Sequence, residues 1–413
     1  MAGVRKTPAG NWRASWREPS GRQSSKTFNT KREASAFLAQ MNTTKGTGTY
    51  VSPHAGRVRF GDHAREWMQT WNTEATTTAR DASVMRNHVL AKWESWPLAK
   101  IDHLSVQGWI TDLGARLSPA TLVQCRRLMS GVLRSALRNR LIAFNPCDGV
   151  RIPTRRTQDT DEQIVDRAVF RSSLLPVVPH RYRALVAVGG GAGLRWGEAV
   201  GSCADALDLD GARLRVIRTV IEVSGHTSFK PFPKTTAGRR TVPLPGWLVA
   251  LLREHLATYP RGESGLIFAN QVGGAYRRTL FRTRVWRPAL VRAGLLGLVE
   301  PDGDKFRGEW VDADGVVGSA MFRTEPAAVH HVARHQAGGL RYHDLRHSYA
   351  IWLVDDGVPV NMVQRVLGHE RSSTTLDLYT RRTDDPSRVL RALDDEDDGD
   401  DPDDGAAGVL VPR

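Results

Sequence analysis

The sequence predicts a multidomain protein with three folded parts. These are a small β-sheet plus helix N-terminal module, an all-α domain, and a mixed α+β domain that is mainly helical. Three observations support this division. The 413 residues exceed one average domain, and 40% of them are hydrophobic. The spacing of apolar residues changes from the strand period to the helix period along the chain. Linkers rich in glycine or basic residues stand at 46–48 and 152–156.

The N-terminal module covers residues 1–46. Asn11–Arg17 alternates like a strand, a turn follows at 19–21, and Gln23–Phe28 reads as a second strand. Thr30 and Glu33 form a capping box, which predicts a helix that runs to about Met41. We expect this sheet to present a basic face with exposed aromatic side chains.

The all-α domain covers residues 58–150. Five apolar residues fall on one helical face in its first segment: Phe60, Ala64, Trp67, Met68 and Trp71. A second helix is expected over about 77–90. A third begins with Ser118 as N-cap and Pro119 in its first turn.

The mixed domain covers residues 160–393. Its pattern predicts a helix over 181–188 and strands over 214–223, 241–244 and 266–268. Further helices are expected near 278–293, 344–355, 361–367 and 374–379. The pattern dissolves into Gly, Asp and Pro over 297–339, which predicts an insertion that forms a long loop or mobile segment. Residues 394–413 are expected to be a disordered acidic tail.

The charge of the chain predicts a polyanionic partner. The formal net charge is +14, and it rises to +22 without residues 394–413, which hold nine acids and one arginine. A body this basic indicates nucleic acid as the partner. The expected DNA contacts are eight side chains: Trp12, Arg13, Arg17, Lys26, Arg126, Arg127, Arg239 and Arg240.

Other compositional signals exclude several classes of protein. The sequence has no apolar run long enough for a membrane helix and no signal-peptide pattern. Its three cysteines, Cys125, Cys147 and Cys203, form neither a disulfide framework nor a CxxC pair. We therefore expect a protein of a reducing cytoplasm with no membrane partner. We expect no cofactor and no metal, because the scattered histidines at 330, 331 and 335 lack further ligand motifs.

Six side chains in separate motifs suit attack on a phosphodiester. Arg195 and Arg346 can bind the non-bridging oxygens through two hydrogen bonds each. Lys234 can protonate the leaving oxygen, and His343 and His369 can act as bases or as phosphate donors. Taken singly, each arginine is more often a surface charge and each histidine more often structural.

A tyrosine can supply the attacking oxygen if cations or a base lower its pKa. Tyr379 follows a cluster of basic groups and is a candidate, although taken singly it is more often an amphipathic packing residue and six other tyrosines compete with it. Tyr342, next to His343, is the main competitor. Tyr349 lies among apolar residues and reads as core.

Four blocks together resemble the tyrosine recombinases, specifically phage-type integrases with three domains. They are GLRWGE at 193–198, PKTTAGRRTVPLP at 233–245, HDLRHSYA at 343–350 and LGHERSSTTLDLYT at 367–380. The resemblance spans most of residues 10–390. It places Arg195, Lys234, His343, Arg346 and His369 on the activating positions of the family and Tyr379 on its nucleophile. Glu198 matches a recurrent acid after the first arginine and is expected to hold Arg195 or a neighbouring base.

The resemblance implies site-specific recombination by a tetramer of this chain on DNA. Tyr379 would form a 3′-phosphotyrosyl intermediate, a Holliday junction would follow, and neither ATP nor metal would be required. A DNA-bending or directionality factor would be a further partner. Two alternatives stay open: a Xer-type chromosome or plasmid resolvase, and a non-catalytic DNA-binding regulator.

Two features depart from the pattern of the family. Three consecutive glycines, Gly189 to Gly191, stand where the family has a compact helix, so we expect them to loosen the segment that leads to Arg195. The segment 297–339 separates the motif blocks more widely than usual.

Overall fold

The computed structural model describes residues 3–18, 21, 23–46, 55–153, 163–230 and 239–368. The chain divides into two compact units, Met1–Thr160 and Asp161–Arg413. Across the described ranges, no helix has the length and apolar character needed to span a membrane. The predicted helix at 374–379 and the acidic tail lie outside these ranges.

The N-terminal module is a three-stranded antiparallel sheet with one helix on it. Strands β1 (Gly3–Lys6), β2 (Trp12–Arg17) and β3 (Gln23–Phe28) pair in that order, and helix α1 spans Lys31–Gly46. The predicted capping box is confirmed. The Thr30 amide donates to Glu33 at 3.3 Å, and the Glu33 amide donates to the Thr30 hydroxyl at 3.2 Å.

Alternation along β2 divides its side chains between the two faces of the sheet. Ala14 and Trp16 are buried, with Trp16 only 1% exposed. The Trp16 ring packs edge-on against Phe37 of α1. The expectation of exposed aromatic residues is therefore wrong for Trp16, because the small module uses the ring as its core.

The all-α domain contains the helices α2 (Phe60–Gln69), α3 (Ala75–Val84), α4 (His103–Gly114) and α5 (Pro119–Arg138). A π-helical segment, Met85–Leu90, and a helical turn, Ala91–Trp93, continue α3. The predicted start of α5 is confirmed, since Ser118 accepts a hydrogen bond from the Thr121 amide at 3.4 Å with Pro119 in the first turn. Phe60 and Ala64 are fully buried in the core of this domain.

The second unit combines helices with three small antiparallel sheets. Its helices are α6 (His180–Ala192), α7 (Trp196–Val200), α8 (Gly246–Thr258), α9 (Arg278–Phe281), α10 (Arg287–Arg292), α11 (Glu325–His335), α12 (Asp344–Asp355) and α13 (Val360–Leu367). Its strands are β4 (Leu207–Asp208), β5 (Arg213–Val216), β6 (Thr219–Val223), β7 (His226–Lys230), β8 (Arg240–Pro243), β9 (Leu298–Asp302), β10 (Lys305–Val311) and β11 (Val317–Phe322). One sheet has the order β4-β5-β8, another is the β6-β7 hairpin, and the third has the order β11-β10-β9.

Two predicted strands differ from those observed. The segment 214–223 forms two strands, β5 and β6, rather than one. The segment 266–268 joins no named strand, and Leu266 makes only an isolated bridge to Cys203. Its three apolar residues are buried in the core instead.

The three glycines before Arg195 do not loosen the chain, and that expectation is wrong. They belong to α6 and are buried. A β-carbon would lie 3.0 Å from Leu345 at Gly189, 2.5 Å from the Phe170 ring at Gly190, and 2.8 Å from the Trp247 ring at Gly191. The missing side chains therefore let neighbouring large residues pack directly on the helix backbone.

The segment 297–339 is folded, so the expectation of a loop or mobile segment is wrong, while its assignment as an insertion stays a prediction. Strands β9, β10 and β11 form an antiparallel sheet whose register places Gly308 opposite Val299 and Ala320. Helix α11 begins at Glu325 with Thr324 as its N-cap. Trp310 and Phe322 contact the ring of His331 on this helix, at centroid distances of 4.6 and 5.0 Å.

Candidate functional site

The turn between α6 and α7 places Arg195. Gly193 ends α6 in the left-handed region at φ 61°, and a β-carbon there would lie 2.6 Å from the Tyr349 ring. Arg195 is the N-cap of α7, and its amide donates to a Glu198 carboxylate oxygen at 3.0 Å. Its Nη1 donates to the other oxygen at 2.9 Å. The structure thus agrees with the expectation that Glu198 holds Arg195.

Arg240 reaches the same carboxylate from β8. Its Nη2 and Nη1 donate to the two Glu198 oxygens at 2.9 and 3.2 Å, and its side chain is 5% exposed. The prediction that Arg240 contacts DNA is revised on this geometry. Val242, two residues on, is fully buried, so strand alternation was the signal in the sequence for an inward Arg240.

Arg346 enters the cluster from α12. It is 2% exposed, and its Nη1 donates to the Gly193 carbonyl at 2.7 Å. Its Nη2 donates to the Leu367 carbonyl. A Glu198 oxygen lies 3.9 Å from Nη1. Three arginines from three separate motifs therefore surround one carboxylate.

The Glu198 carboxylate is held in its charged form. Burial alone would raise its pKa, but the hydrogen bonds and charge of Arg240, with the charges of Arg195 and Arg346, outweigh burial and lower the pKa to about 2. One negative and three positive groups leave a net positive site. Arg195, with its side chain 41% exposed, is the arginine of this cluster that faces solvent most.

His343 precedes α12 and is neutral at physiological pH. The residue is exposed, yet the protein atoms around the ring lower its pKa. The His347 ring, 4.9 Å away, and the charges of Arg346 and Arg195 lower it further, to about 4. A neutral imidazole can accept a proton, which suits the base role weighed for His343.

The structure removes Tyr342 as a competitor for the nucleophile. Tyr342 is buried and donates its hydroxyl to the Leu185 carbonyl at 2.8 Å. Burial raises its pKa, with the Glu198 charge adding to the effect. Tyr349 is 9% exposed, as expected for core, and burial also raises its pKa.

Three predicted catalytic residues lie outside the described residues: Lys234, His369 and Tyr379. The chain enters β8 six residues after Lys234, and α13 ends at Leu367, two residues before His369. Arg240 therefore lies close in sequence to the Lys234 segment, and Arg346 contacts the Leu367 carbonyl, two residues before His369. The roles of the three residues stay predictions.

The predicted DNA contacts of the N-terminal module lie on different faces of the sheet. Arg13 and Arg17 are exposed on the face away from α1, where the register adds Arg5 beside Arg13. Lys26 lies opposite Ala14 on the helix side, with its Nζ 5.2 Å from the Phe37 ring centroid.

Trp12 also lies on the helix side of the sheet, where the Lys31 Nζ is 5.6 Å from its ring centroid. The basic face consequently consists of arginines, while Trp12 and Lys26 pack along the edge of the core.

The remaining predicted contacts differ in their surroundings. Arg127 bonds the buried carboxylate of Asp81 and keeps 49% of its side chain exposed. Arg126 is half-buried on the same helix, and Arg239 is exposed at the start of β8. Their contacts with DNA stay predictions.

The histidines of the 297–339 segment contact aromatic rings. His331 and His335 stack at 4.1 Å between ring centroids, and both contact Trp310. Within the part of the chain that the structure describes, no cluster of three His, Cys, Asp or Glu side chains could hold a metal ion.

Comparison with known proteins finds similarity along nearly the whole chain. Residues 321–385 match the model described as the phage integrase family, and residues 3–45 match the phage integrase N-terminal domain. The chain is 25% identical over 401 residues to the prophage phiRv2 integrase of Mycobacterium tuberculosis, with 94% of each chain covered. It is 24% identical over 337 residues to the XerC-like tyrosine recombinase of Caldanaerobacter subterraneus subsp. tengcongensis, covering 76% of this chain and 78% of that one.

The fold is similar to the solved structure of the Tn1549 transposon integrase in complex with transposon right end DNA. The TM-score is 0.59 at 16% identity, covering 81% of this chain and 99% of that chain. At this identity the comparison bears on the fold, which is multidomain with a small N-terminal sheet and a mostly helical core.

Proposed function

This chain is a phage-type tyrosine recombinase with an N-terminal domain, and we propose that it integrates and excises a phage or other mobile element. The enzyme breaks and rejoins DNA strands at specific sites. We further propose that it acts in the cytoplasm of a bacterial host, as a homotetramer on double-stranded attachment sites. An accessory DNA-bending or directionality factor would set which reaction is favoured.

The cluster around Glu198 carries this proposal. Arg195, Arg240 and Arg346 come from motifs separated by more than 40 residues, yet they converge on one carboxylate. A buried carboxylate that fixes several guanidinium groups orders an anion-binding site before the substrate arrives. A scissile phosphate is the anion that the recombinase chemistry requires there.

The proposed reaction conserves the number of phosphodiester bonds. The Tyr379 oxygen attacks the scissile phosphorus and gives its proton to a base, for which neutral His343 is suited. The bond to the 5′ oxygen breaks, and that oxygen takes a proton from Lys234. A 3′-phosphotyrosyl link results. The 5′ hydroxyl of the partner duplex then attacks this link, which forms the exchanged strand and frees Tyr379.

Covalent capture on DNA tests the proposal. Sequencing the DNA ends that remain attached to the protein in host cells would first map the core site. A duplex carrying that site with a nick near the cleavage point should then trap wild-type protein covalently, whereas the Tyr379→Phe variant should form no covalent complex.

The matched control is Tyr259→Phe, a change at a tyrosine that instead contacts His180. That variant should be trapped like wild type. A covalent complex that survives Tyr379→Phe would refute Tyr379 as the nucleophile. A wild-type protein that binds DNA in host cells but carries no covalently attached DNA ends would favour the non-catalytic regulator.

The Xer-type resolvase is the second candidate, because a XerC-like recombinase is among the similar proteins. The match of residues 3–45 to an integrase N-terminal domain favours the integrase. Deleting residues 1–45 should abolish integration yet leave cleavage of the core site intact. Equal loss of both activities would argue against a separate DNA-binding role for the module.

A further inference from the structure

Strand β8 turns Arg240 into the protein. In the pairing of β8 with β5, Arg240 lies opposite Val216 and Val242 lies opposite Leu214. Val216, Leu214 and Val242 are at most 5% exposed. Arg240 therefore occupies a core-facing position of the sheet, where a charged group is retained only with full pairing.

The guanidinium of Arg240 has two separate sets of partners. Its Nη atoms donate to both oxygens of Glu198 at 3.2 and 2.9 Å, while Nε donates to the Val366 carbonyl at 2.6 Å. Val366 belongs to the last turn of α13, and its carbonyl follows the two, of Gln364 and Arg365, that accept from the Gly368 amide. Arg346 donates to the next carbonyl, that of Leu367.

Two arginines thus hold the end of α13 against the segment that carries Arg195. Arg346 joins the Leu367 carbonyl to the Gly193 carbonyl, and Arg240 joins the Val366 carbonyl to Glu198. Immediately after this helix end the chain continues through Gly368 to His369 and on to Tyr379.

We propose that Arg240 is a positioning residue for strand cleavage, which fixes the end of α13 relative to Arg195 through Glu198. It fixes Leu367, the last residue of α13, two residues before His369 in the sequence. This role rests on the proposed function and replaces the DNA contact that the sequence suggested for Arg240.

Lysine cannot perform the same role. Its single ammonium nitrogen lacks the planar fork that spans both carboxylate oxygens while a third N–H points elsewhere. Lysine would preserve the charge but would hold either Glu198 or the Val366 carbonyl. Arg240→Lys therefore separates charge from geometry, and Arg240→Met removes both.

The first test is amide hydrogen exchange of the full-length protein without DNA. We expect peptides covering 363–368 to exchange at least about tenfold faster in Arg240→Met, and less so in Arg240→Lys, because the helix end is released. Arg213→Gln is the matched control, since Arg213 lies on β5 and bonds the exposed Asp208. That variant should exchange like wild type.

The second test is the rate of covalent capture on the nicked duplex carrying the mapped core site. Arg240→Met should cleave about 10- to 100-fold more slowly, as expected for a displaced reacting group, while the Kd for the duplex stays within about twofold of wild type. Arg240→Lys should recover part of the rate.

Faster exchange with slower cleavage and unchanged Kd supports the proposal. Wild-type cleavage by folded Arg240→Met overturns it. Slower cleavage with an equally weaker Kd for the duplex, and with hydrogen exchange at 363–368 unchanged, also overturns the proposal. That result would support the predicted contact of Arg240 with DNA. If Arg240→Met does not fold, Arg240→Lys is judged by the same outcomes. Absence of capture by wild type would count against the proposed function alone, because the exchange test needs no DNA.

Discussion

Replacing Glu198 by glutamine should make the free energy of unfolding of the second unit, Asp161–Arg413, less dependent on pH. The pKa of Glu198 is about 2 in the folded protein, against an ordinary 4.5. Since each pKa unit corresponds to about 1.4 kcal/mol, the charged carboxylate stabilises the fold by about 3 kcal/mol at pH 7. Glutamine keeps the shape of the side chain but removes this contribution.

The direction of this pH dependence follows from the lowered pKa of Glu198. As the pH falls, the unfolded chain binds the proton first, so the contribution is complete above about pH 5. It decreases to about 1 kcal/mol at pH 3 and vanishes below about pH 2. Glu198→Gln should therefore be about 3 kcal/mol less stable than wild type at neutral pH, and the difference should narrow toward pH 3.

Urea unfolding of the full chain at several pH values from 7 to 3 measures this difference. Because two units unfold, the readout must belong to one of them. A pulse of hydrogen exchange, measured on peptides from residues 180–200, reports the unfolding of the second unit alone. Glu300→Gln is the control, since Glu300 is half-exposed and lies 3.5 Å from Arg307, and it should change stability by at most about 0.5 kcal/mol. If the difference in unfolding free energy between wild type and Glu198→Gln stays constant from pH 7 to pH 3, the charged Glu198 carboxylate is not the source of this stability.

Two further changes test the packing around the site. Gly190→Ala places a β-carbon 2.5 Å from the Phe170 ring. It should destabilise the second unit by about 1–3 kcal/mol in the same urea assay. Gly246→Ala, where a β-carbon meets open space, should be neutral or stabilising, and equal effects of the two would contradict the packing argument. Tyr342→Phe leaves the Leu185 carbonyl without its donor and should cost about 1–3 kcal/mol while covalent capture on DNA persists. Loss of capture at unchanged stability would reassign the nucleophile.

Elements with strong local signals could be predicted from the sequence. The capping box at Thr30 and the Ser118-Pro119 start of α5 depend on contacts between residues three apart, which a sequence displays directly. Helix α12 was predicted with the bounds that the structure gives it, Asp344–Asp355.

The sheet β9–β11 was missed because its apolar pattern is weak. Gly308 and Gly318 occupy positions on the helix-facing side where an apolar side chain would mark a strand. A β-carbon on Gly318 would lie 2.5 Å from Trp310. Large aromatic rings therefore pack directly on the glycine backbone of these strands. The sequence alone shows glycines at positions where apolar residues would indicate a strand.

The site was predicted in part. Arg195 and Arg346 were identified, and Glu198 was assigned as a partner of Arg195, which the structure bears out. Arg240 was assigned to the surface because basic residues usually lie there. Its partners, Glu198 and the Val366 carbonyl, are 42 and 126 residues away, and such pairings follow from the fold rather than from local pattern.

The three buried glycines of α6 have a consequence for the genetics of this protein. Any missense change at Gly189, Gly190 or Gly191 adds at least one carbon where a neighbouring atom stands within 3.0 Å. Three consecutive codons, ending four residues before the codon for Arg195, therefore have almost no neutral alternatives. Conditional alleles, active at low temperature and inactive when warm, should arise preferentially at these codons. Natural drift of this gene should leave them unchanged even where the surrounding sequence diverges.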